Sequence, residues 1–91
     1  MDDFYTNFKT KLEETTSFPS DYLYKFIVKA EEIQKIAEIQ KVFDGMQTTI
    51  TNKESKNGNY TSISIQVFML DADSVIEKYK EVGKIEGVMM L

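Results

Sequence analysis

The side chains that could carry chemistry lie on two neighbouring segments with strand-like patterns. Lys25 lies in YLYKFIVK, and Ser62 and Ser64 lie in YTSISIQVFML. A lysine beside serine hydroxyls can bind a small anion or carboxylate. A lysine and a serine are also the two residues that a Ser–Lys nucleophile requires. No oxyanion donor with a convergent acid or base can be named in the sequence. We therefore predict ligand contacts from Lys25, Tyr60, Ser62 and Ser64 and no catalytic residues, against the plainer alternative of a solvated polar stripe.

Residue types that are absent exclude several classes of site. The 91 residues include no cysteine and no histidine. Thiolate and imidazole metal sites and Cys–His or Ser–His catalysis are therefore excluded. The acidic run DADS with Glu77 could suggest magnesium, but acids in a first helical turn are typical of an N-cap, formed here by Asp71 or Asp73. We expect no metal and no cofactor.

The segment KESKNGNYTSIS (53–64) raises the question of RNA binding, because RNA-recognition domains begin a strand in a similar way. Those domains stack bases on aromatic residues in mid-strand, where this chain has Ser62 and Ser64. All 11 basic residues are lysines and the net charge is −4, so a polyanion is repelled on average. We expect a hairpin with a type I′ turn at Asn57-Gly58 and no nucleic-acid partner.

The elements that must position these residues follow a simple order. Apolar periodicity and turn signals predict a helix over 2–14, a strand over 22–29, a helix over 31–44, strands over 46–55 and 60–70, a helix over 71–83 and a strand over 84–91. The helix over 31–44 is expected to bury one face of Ile33, Ile36, Ala37 and Phe43. This order predicts an α+β, ferredoxin-like βαββαβ fold, with a four-stranded antiparallel sheet and two helices on one face. The extra amphipathic helix gives a division into 1–16 and 17–91.

Alternation along the strands predicts one apolar surface outside the core. Tyr24 and Phe26 should face the helices together with Ile63 and Ile65 of the neighbouring strand, which leaves the intervening residues on the open face. The open-face apolar residues are Leu23 and Ile27 in the first strand and Val88 and Met90 in the last. Exposed apolar patches of this kind are normally covered by another part of the protein or used to bind a partner. We expect the leading helix to cover this one with Phe4, Phe8 and Leu12, the alternatives being a second copy or another protein.

Two further features indicate contact with a partner. The last strand is an apolar edge of the sheet and ends without a charged side chain that would disfavour pairing with another strand. It could therefore pair with the same strand of a second copy and form a homodimer. Ser55, Lys56 and Asn57 at the hairpin tip could also contact a partner, although turn chemistry explains them as well. No apolar run is long enough to span a membrane and the N-terminus is too charged for a signal peptide, so we expect a cytoplasmic protein without a membrane partner.

The segments FPSDYLYKFIV (18–28), SKNGNYTSISI (55–65) and YKEVGKIEGVMML (79–91) resemble the YbeD-like family of small uncharacterised bacterial proteins. The positions that carry the resemblance are Phe18, Pro19, Tyr22, Tyr24, Lys25, Ser55, Gly58, Tyr60 and Ser62. The resemblance implies a fold close to the ACT regulatory domains, which bind small effectors such as amino acids, and a connection to lipoate metabolism. Where ACT domains have a glycine-bearing turn after the first strand, this chain has Val28-Lys29-Ala30-Glu31, which argues against an amino-acid ligand.

These observations lead to two functional expectations. The first is a non-enzymatic regulatory or adaptor domain that acts by protein–protein interaction. The second is an ACT-type metabolite sensor with Lys25, Tyr60 and Ser62 near the ligand. A ligand that stabilises the isolated protein would favour the sensor, whereas the adaptor predicts that only a macromolecular partner does so.

Overall fold

The computed structural model describes residues 3–90, so Asp2 of the predicted first helix and Leu91 of the predicted last strand lie outside the described residues. The helices are α1 (Asp3–Thr15), α2 (Gln34–Val42), which follows a 3₁₀ turn over Ala30–Glu32, and α3 (Ala72–Gly83). The strands are β1 (Ser20–Lys29), β2 (Thr48–Glu54), β3 (Tyr60–Met69) and β4 (Met89–Met90). The predicted order of elements is confirmed.

The four strands form one antiparallel sheet in the order β2-β3-β1-β4. This is the order expected for the split βαβ arrangement, and the predicted α+β, ferredoxin-like fold is confirmed. β1 and β3 are paired over their full length, from Ser20 opposite Met69 to Lys29 opposite Tyr60. They form the centre of the sheet, on which the candidate site lies.

The core lies between this sheet and the helices, because alternate residues of β1 and β3 are apolar. Tyr24, Phe26 and Val28 are fully buried, as the alternation predicted. The other buried apolar residues are Ile63, Ile65, Val67 and Met69 of β3, Ala72, Val75, Ile76 and Val82 of α3, and Leu12, Ile36, Ile39 and Phe43. The buried face of α2 therefore differs from the predicted one, since Ile33 precedes the helix at the end of the 3₁₀ turn and is exposed, as is Ala37.

The hairpin between β2 and β3 is wider than the predicted type I′ turn. Ser55 N donates to the Tyr60 carbonyl at 2.8 Å, and Gly58 N donates to the Ser55 carbonyl at 2.9 Å. Among residues 3–90 only glycines have a positive φ, so Asn57 does not adopt the conformation that a type I′ turn requires. The loop has four residues because Ser55 closes it, its Oγ accepting a hydrogen bond from Tyr60 N at 3.1 Å.

Within the described residues, the last predicted strand is reduced to two. After α3 the chain turns at Gly87, which has a φ of +86°, and up to residue 90 only Met89 and Met90 pair with β1. Most of the segment 84–91 therefore forms a connection that packs Ile85 and Val88 against the core.

The leading helix does not cover the open face of the sheet, so that expectation is wrong. Leu12 belongs to the buried core, and the Phe8 ring meets the Tyr79 ring of α3 at 5.6 Å between centroids. Lys9 Nζ also contacts Asp73 Oδ2 at 3.2 Å. α1 therefore packs beside α3 on the helical face, because its apolar stripe finds aromatic partners there.

Candidate functional site

The open face of the sheet carries the residues that the sequence singled out. Strand pairing arranges them in cross-strand rows: Lys53, Ser62, Ile27 and Met89; Thr51, Ser64 and Lys25; Thr49, Gln66 and Leu23; Phe68 and Asp21. A polar row around Lys25 thus separates apolar side chains at Ile27 and Leu23. Leu23 is 50%, Phe68 49% and Met89 45% exposed.

The predicted apolar patch is correct in β1 and wrong in β4. Met90 lies opposite Phe26, and directly opposed residues share a face, so Met90 points to the helices. Val88 packs against the core. Met89, opposite Ile27, takes the open-face position instead. The register differs by one residue from the prediction because the turn at Gly87 sets where pairing begins.

The predicted ligand residues do not converge on one point. Lys25 lies directly opposite Ser64, whereas Ser62 lies opposite Ile27 and Tyr60 lies opposite Lys29. The Ser62 hydroxyl donates to the Lys53 carbonyl at 3.3 Å. An open cleft of about 410 Å³ at the hairpin brings part of the set together; its lining is Ile27, Lys53, Glu54, Ser55, Lys56, Tyr60 and Ser62. Lys25 and Ser64 are not part of this lining.

The charge on the open face is opposite to that of the chain. Lys25, Lys29 and Lys53 stand on this face, and Asp21 is the acid among the strand residues there. Gln66 Nε2 donates to Asp21 Oδ2 at 3.1 Å, which occupies part of that carboxylate. The whole chain has a net charge of −4. The open face is therefore a locally basic surface on an acidic protein.

A second cleft was not anticipated from the sequence. It has a volume of about 270 Å³ and is lined by Phe4, Tyr5, Phe8, Tyr22, Tyr79 and Met90. These residues come from α1, β1, α3 and β4, so only the packing of α1 against α3 brings them together. The stripe of Phe4 and Phe8 is the sequence signal for this cleft, but it predicts only that the first helix buries the stripe and not against which face of the sheet.

The wall of this aromatic cleft contains a hydrogen-bonded pair of tyrosines. The hydroxyls of Tyr22 and Tyr79 lie 2.9 Å apart. Burial, and then the hydrogen bond with Tyr22, raises the pKa of Tyr79 far above that of an ordinary phenol. Burial likewise raises the pKa of Tyr24, whose hydroxyl donates to the Val75 carbonyl at 2.8 Å. Both phenols are therefore neutral hydrogen-bonding groups at physiological pH.

Two smaller observations concern the acidic residues and the helices. Asp71 caps α3, since its Oδ1 accepts a hydrogen bond from Ser74 N at 2.8 Å, and the hydrogen bonds from Ser74 lower its pKa. The choice between Asp71 and Asp73 as the cap is thereby settled. Over residues 3–90, none of the helices has the length and apolar character needed to cross a membrane.

Comparison with known proteins gives a consistent result. Residues 13–91 match a family described as "Protein of unknown function (DUF493)". The chain is 35% identical over 85 residues to the UPF0250 protein YbeD of Escherichia coli O1:K1 / APEC, covering 91% of this chain and 98% of that protein. The UPF0250 protein YbeD of Shigella boydii serotype 18 (strain CDC 3083-94 / BS512) matches with the same identity and coverage. The resemblance noted in the sequence is confirmed.

Proposed function

Since the chain belongs to the DUF493 family, whose function is not known, we propose its role from its surface: a non-enzymatic regulatory or adaptor module that binds a protein partner through the open face of its sheet. The observation that carries this proposal is the group of half-exposed side chains Leu23, Phe68 and Met89 on a face without a helix. A face that combines apolar side chains with a predominantly basic charge is suited to recognition.

The charges on this face select the chemistry of the partner. Lys25, Lys29 and Lys53 favour an acidic segment, and Leu23 and Met89 favour apolar anchors within it. A second copy presenting the same face would bring lysines against lysines, which is unfavourable. We therefore assign the face to an acidic, apolar-anchored surface of a different protein, acting in the cytoplasm.

Binding is proposed in preference to catalysis because of how the serines are arranged. Ser62 directs its hydroxyl to the Lys53 carbonyl, and a backbone carbonyl cannot act as a general base. Lys25 stands opposite Ser64, but among the described residues no hydrogen bond joins their side chains, and both lie on a face open to water.

Site-specific crosslinking in cells tests the proposal. A photoreactive residue at Leu23 should capture a partner, whereas the same residue at Ile33, which is exposed on the helical side, should not. Lys25→Glu should weaken the capture, and so should added salt, because both remove attraction for an acidic segment. Capture at Ile33 alone, or a product at twice the mass of the chain, would contradict the proposal.

The alternative role, a metabolite sensor, is favoured by the hairpin cleft. This cleft places Lys53, Lys56, Tyr60 and Ser62 around Ile27. Its two lysines outnumber its one acid, Glu54, so the lining is suited to a small carboxylate with an apolar tail. Thermal unfolding with amino acids, short fatty acids, lipoate and nucleotides checks this role. A ligand at 100 times its Kd adds ~2.7 kcal/mol to the free energy of unfolding. The shift should disappear in Lys53→Ala and persist in Lys25→Ala, since Lys25 does not line the cleft.

A further inference from the structure

The open face has a further cleft at the end where β1 begins, and the charge there differs from that of the rest of the face. The cleft has a volume of about 510 Å³, and its lining includes Asp21, Gln47, Thr49, Gln66 and Phe68. Within residues 3–90 no lysine belongs to this lining. The cleft is therefore an acidic, oxygen-rich end of a mainly basic surface.

The strand register and one hydrogen bond position the Asp21 carboxylate. Asp21 lies directly opposite Phe68, and directly opposed residues of antiparallel strands have Cβ atoms about 4.5–5.5 Å apart. Gln66, the diagonal neighbour of Asp21, donates a hydrogen bond from Nε2 to Asp21 Oδ2 at 3.1 Å. This bond uses neither Asp21 Oδ1 nor the Gln66 amide oxygen, so both can accept hydrogen bonds from a ligand in the cleft.

These groups fit a flat organic cation. The Phe68 side chain is 49% exposed, so its ring can contact a ligand. A guanidinium stacks on an aromatic ring and presents its N–H donors in a planar fork, whereas an ammonium is a compact point charge. A metal ion does not fit, because the described residues form no group of three or more acidic side chains that could hold one. The chemistry of the cleft therefore selects a guanidinium.

We propose that this cleft binds an arginine side chain of the partner protein, an inference that rests on the proposed function of the open face. Leu23 lies between Asp21 and Lys25 on the same face of β1, and the distance from Asp21 to Lys25 along the strand is ~13 Å. The partner surface therefore presents an arginine, an apolar anchor and an acid in this order over that distance.

The arginine belongs to a different protein rather than to a second copy. The 91 residues contain no arginine, since all 11 basic residues are lysines. A second copy could offer the cleft only lysines, which lack the planar fork. A preference of the cleft for guanidinium over ammonium therefore separates the two occupants.

NMR titration of the full chain with three small probes tests the cleft without the partner. The probes are N-acetyl-arginine amide, its uncharged analogue N-acetyl-citrulline amide, and N-acetyl-lysine amide. The arginine probe should cause saturable shifts in the backbone amide signals of Asp21, Gln66 and Phe68, and the citrulline probe should cause none. The lysine probe should bind at least about threefold more weakly, because it lacks the stacking plane and the fork.

Three variants locate the contact. Asp21→Asn should abolish the saturable shifts, because it removes the charge that assists the hydrogen bond. Phe68→Leu should weaken binding about two- to fivefold, the loss expected for an exposed cation–π contact. The matched variant Asp44→Asn changes an exposed aspartate outside this cleft and should bind the arginine probe as the unaltered chain does.

A charge reversal tests whether the arginine belongs to the partner. Asp21→Lys adds positive charge to the open face, which would increase crosslinking at Leu23 if the partner segment were acidic throughout. A partner with an arginine at this end should instead be captured less, as it is in Lys25→Glu. Increased capture in Asp21→Lys would overturn the proposal.

The probes and the crosslinking separate this inference from the proposed function. If Leu23 captures a partner but the arginine probe does not bind, this inference is wrong and the proposed function stands. If the probe binds but Leu23 captures no partner, the proposed function is wrong and the guanidinium site remains. Equal binding of the arginine and lysine probes, saturable binding of the citrulline probe, or shifts that persist in Asp21→Asn would also overturn the inference.

Discussion

Tyr79 is the residue at which the sheet, α3 and α1 meet. Its ring contacts the rings of Phe8, Tyr22, Tyr24 and Phe26, and its hydroxyl pairs with that of Tyr22. The partly buried phenol of Tyr79 is stable in this position only while it is neutral, because burial penalises the phenolate. The aromatic cluster therefore makes the stability of the fold sensitive to alkaline pH.

We expect Tyr79→Phe to reduce this alkaline sensitivity. The folded state holds the pKa of Tyr79 above the unfolded value of ~10, so its stabilisation is complete below that pH and is lost as the pH rises. Removing the hydroxyl should cost about 1 kcal/mol at neutral pH. It should also make the fall above pH ~10 less steep, by less than about 1.4 kcal/mol per pH unit, because solvent screens part of the charge on a partly buried phenolate. Urea unfolding between pH 8 and 11 measures both, and equal slopes in the two proteins would contradict the assignment.

At the scale of elements, two glycines near the end of the chain differ in whether a side chain could replace the hydrogen: the position of Gly83 tolerates one and that of Gly87 does not. Gly83 lies in α3, where an added Cβ would meet Met90 Cε at 3.5 Å, an ordinary contact. Gly87 has a φ of +86° and an added Cβ would approach Lys35 Nζ and Glu32 Oε1. The Lys35 amine also donates to the Glu86 carbonyl, which fixes the turn leading into β4. The turn at Gly87 therefore sets the register of β4.

The pair of alanine variants tests this interpretation. Gly87→Ala should lower the free energy of unfolding by about 1–2 kcal/mol, because a side chain disfavours the left-handed conformation. Gly83→Ala should leave it unchanged or raise it by up to about 1 kcal/mol, because glycine is a poor helix former. Denaturant unfolding of both variants checks the prediction. If the two variants lost the same free energy of unfolding, the positive φ of Gly87 would not be what makes glycine necessary there, and the interpretation would be wrong.

At the scale of the whole molecule, the three helices described within residues 3–90 cover one face of the sheet, and none of them covers the other. α1 is part of this layer because Leu12 is 5% exposed within the core. The proposed binding surface on the open face follows from this distribution. Over residues 3–90, the open face has no helix of its own.

Leu12→Ala measures whether α1 unfolds together with the rest of the domain. Truncating a buried leucine costs about 2–5 kcal/mol, and in a domain of this size each kcal/mol lowers Tm by roughly 4–8 °C. We expect a single transition with a markedly lower Tm. Phe4→Ala, at an exposed position of the same helix, should leave Tm nearly unchanged. An unaltered Tm in Leu12→Ala would show that residues 1–16 fold apart from residues 17–91.

The sequence by itself determined the order of elements, the fold class and the buried faces of β1 and β3. These follow from local periodicity, since alternation assigns Tyr24, Phe26 and Ile63 to one face wherever the strand lies. It also located Lys25, Ser62 and Leu23 on the open face, because the other half of each alternation must stand there.

Only the tertiary structure decided where α1 packs and which residues of the last segment face the helices. The stripe of Phe4, Phe8 and Leu12 indicates that the helix buries a face, but either side of the sheet could receive it. Its aromatic contacts with Tyr79 select the helical side. The face of Met90 depends on a glycine turn that shifts the strand by one residue, and a shift of one residue reverses every side chain. The aromatic cleft depends on both outcomes, because packing between distant segments creates it.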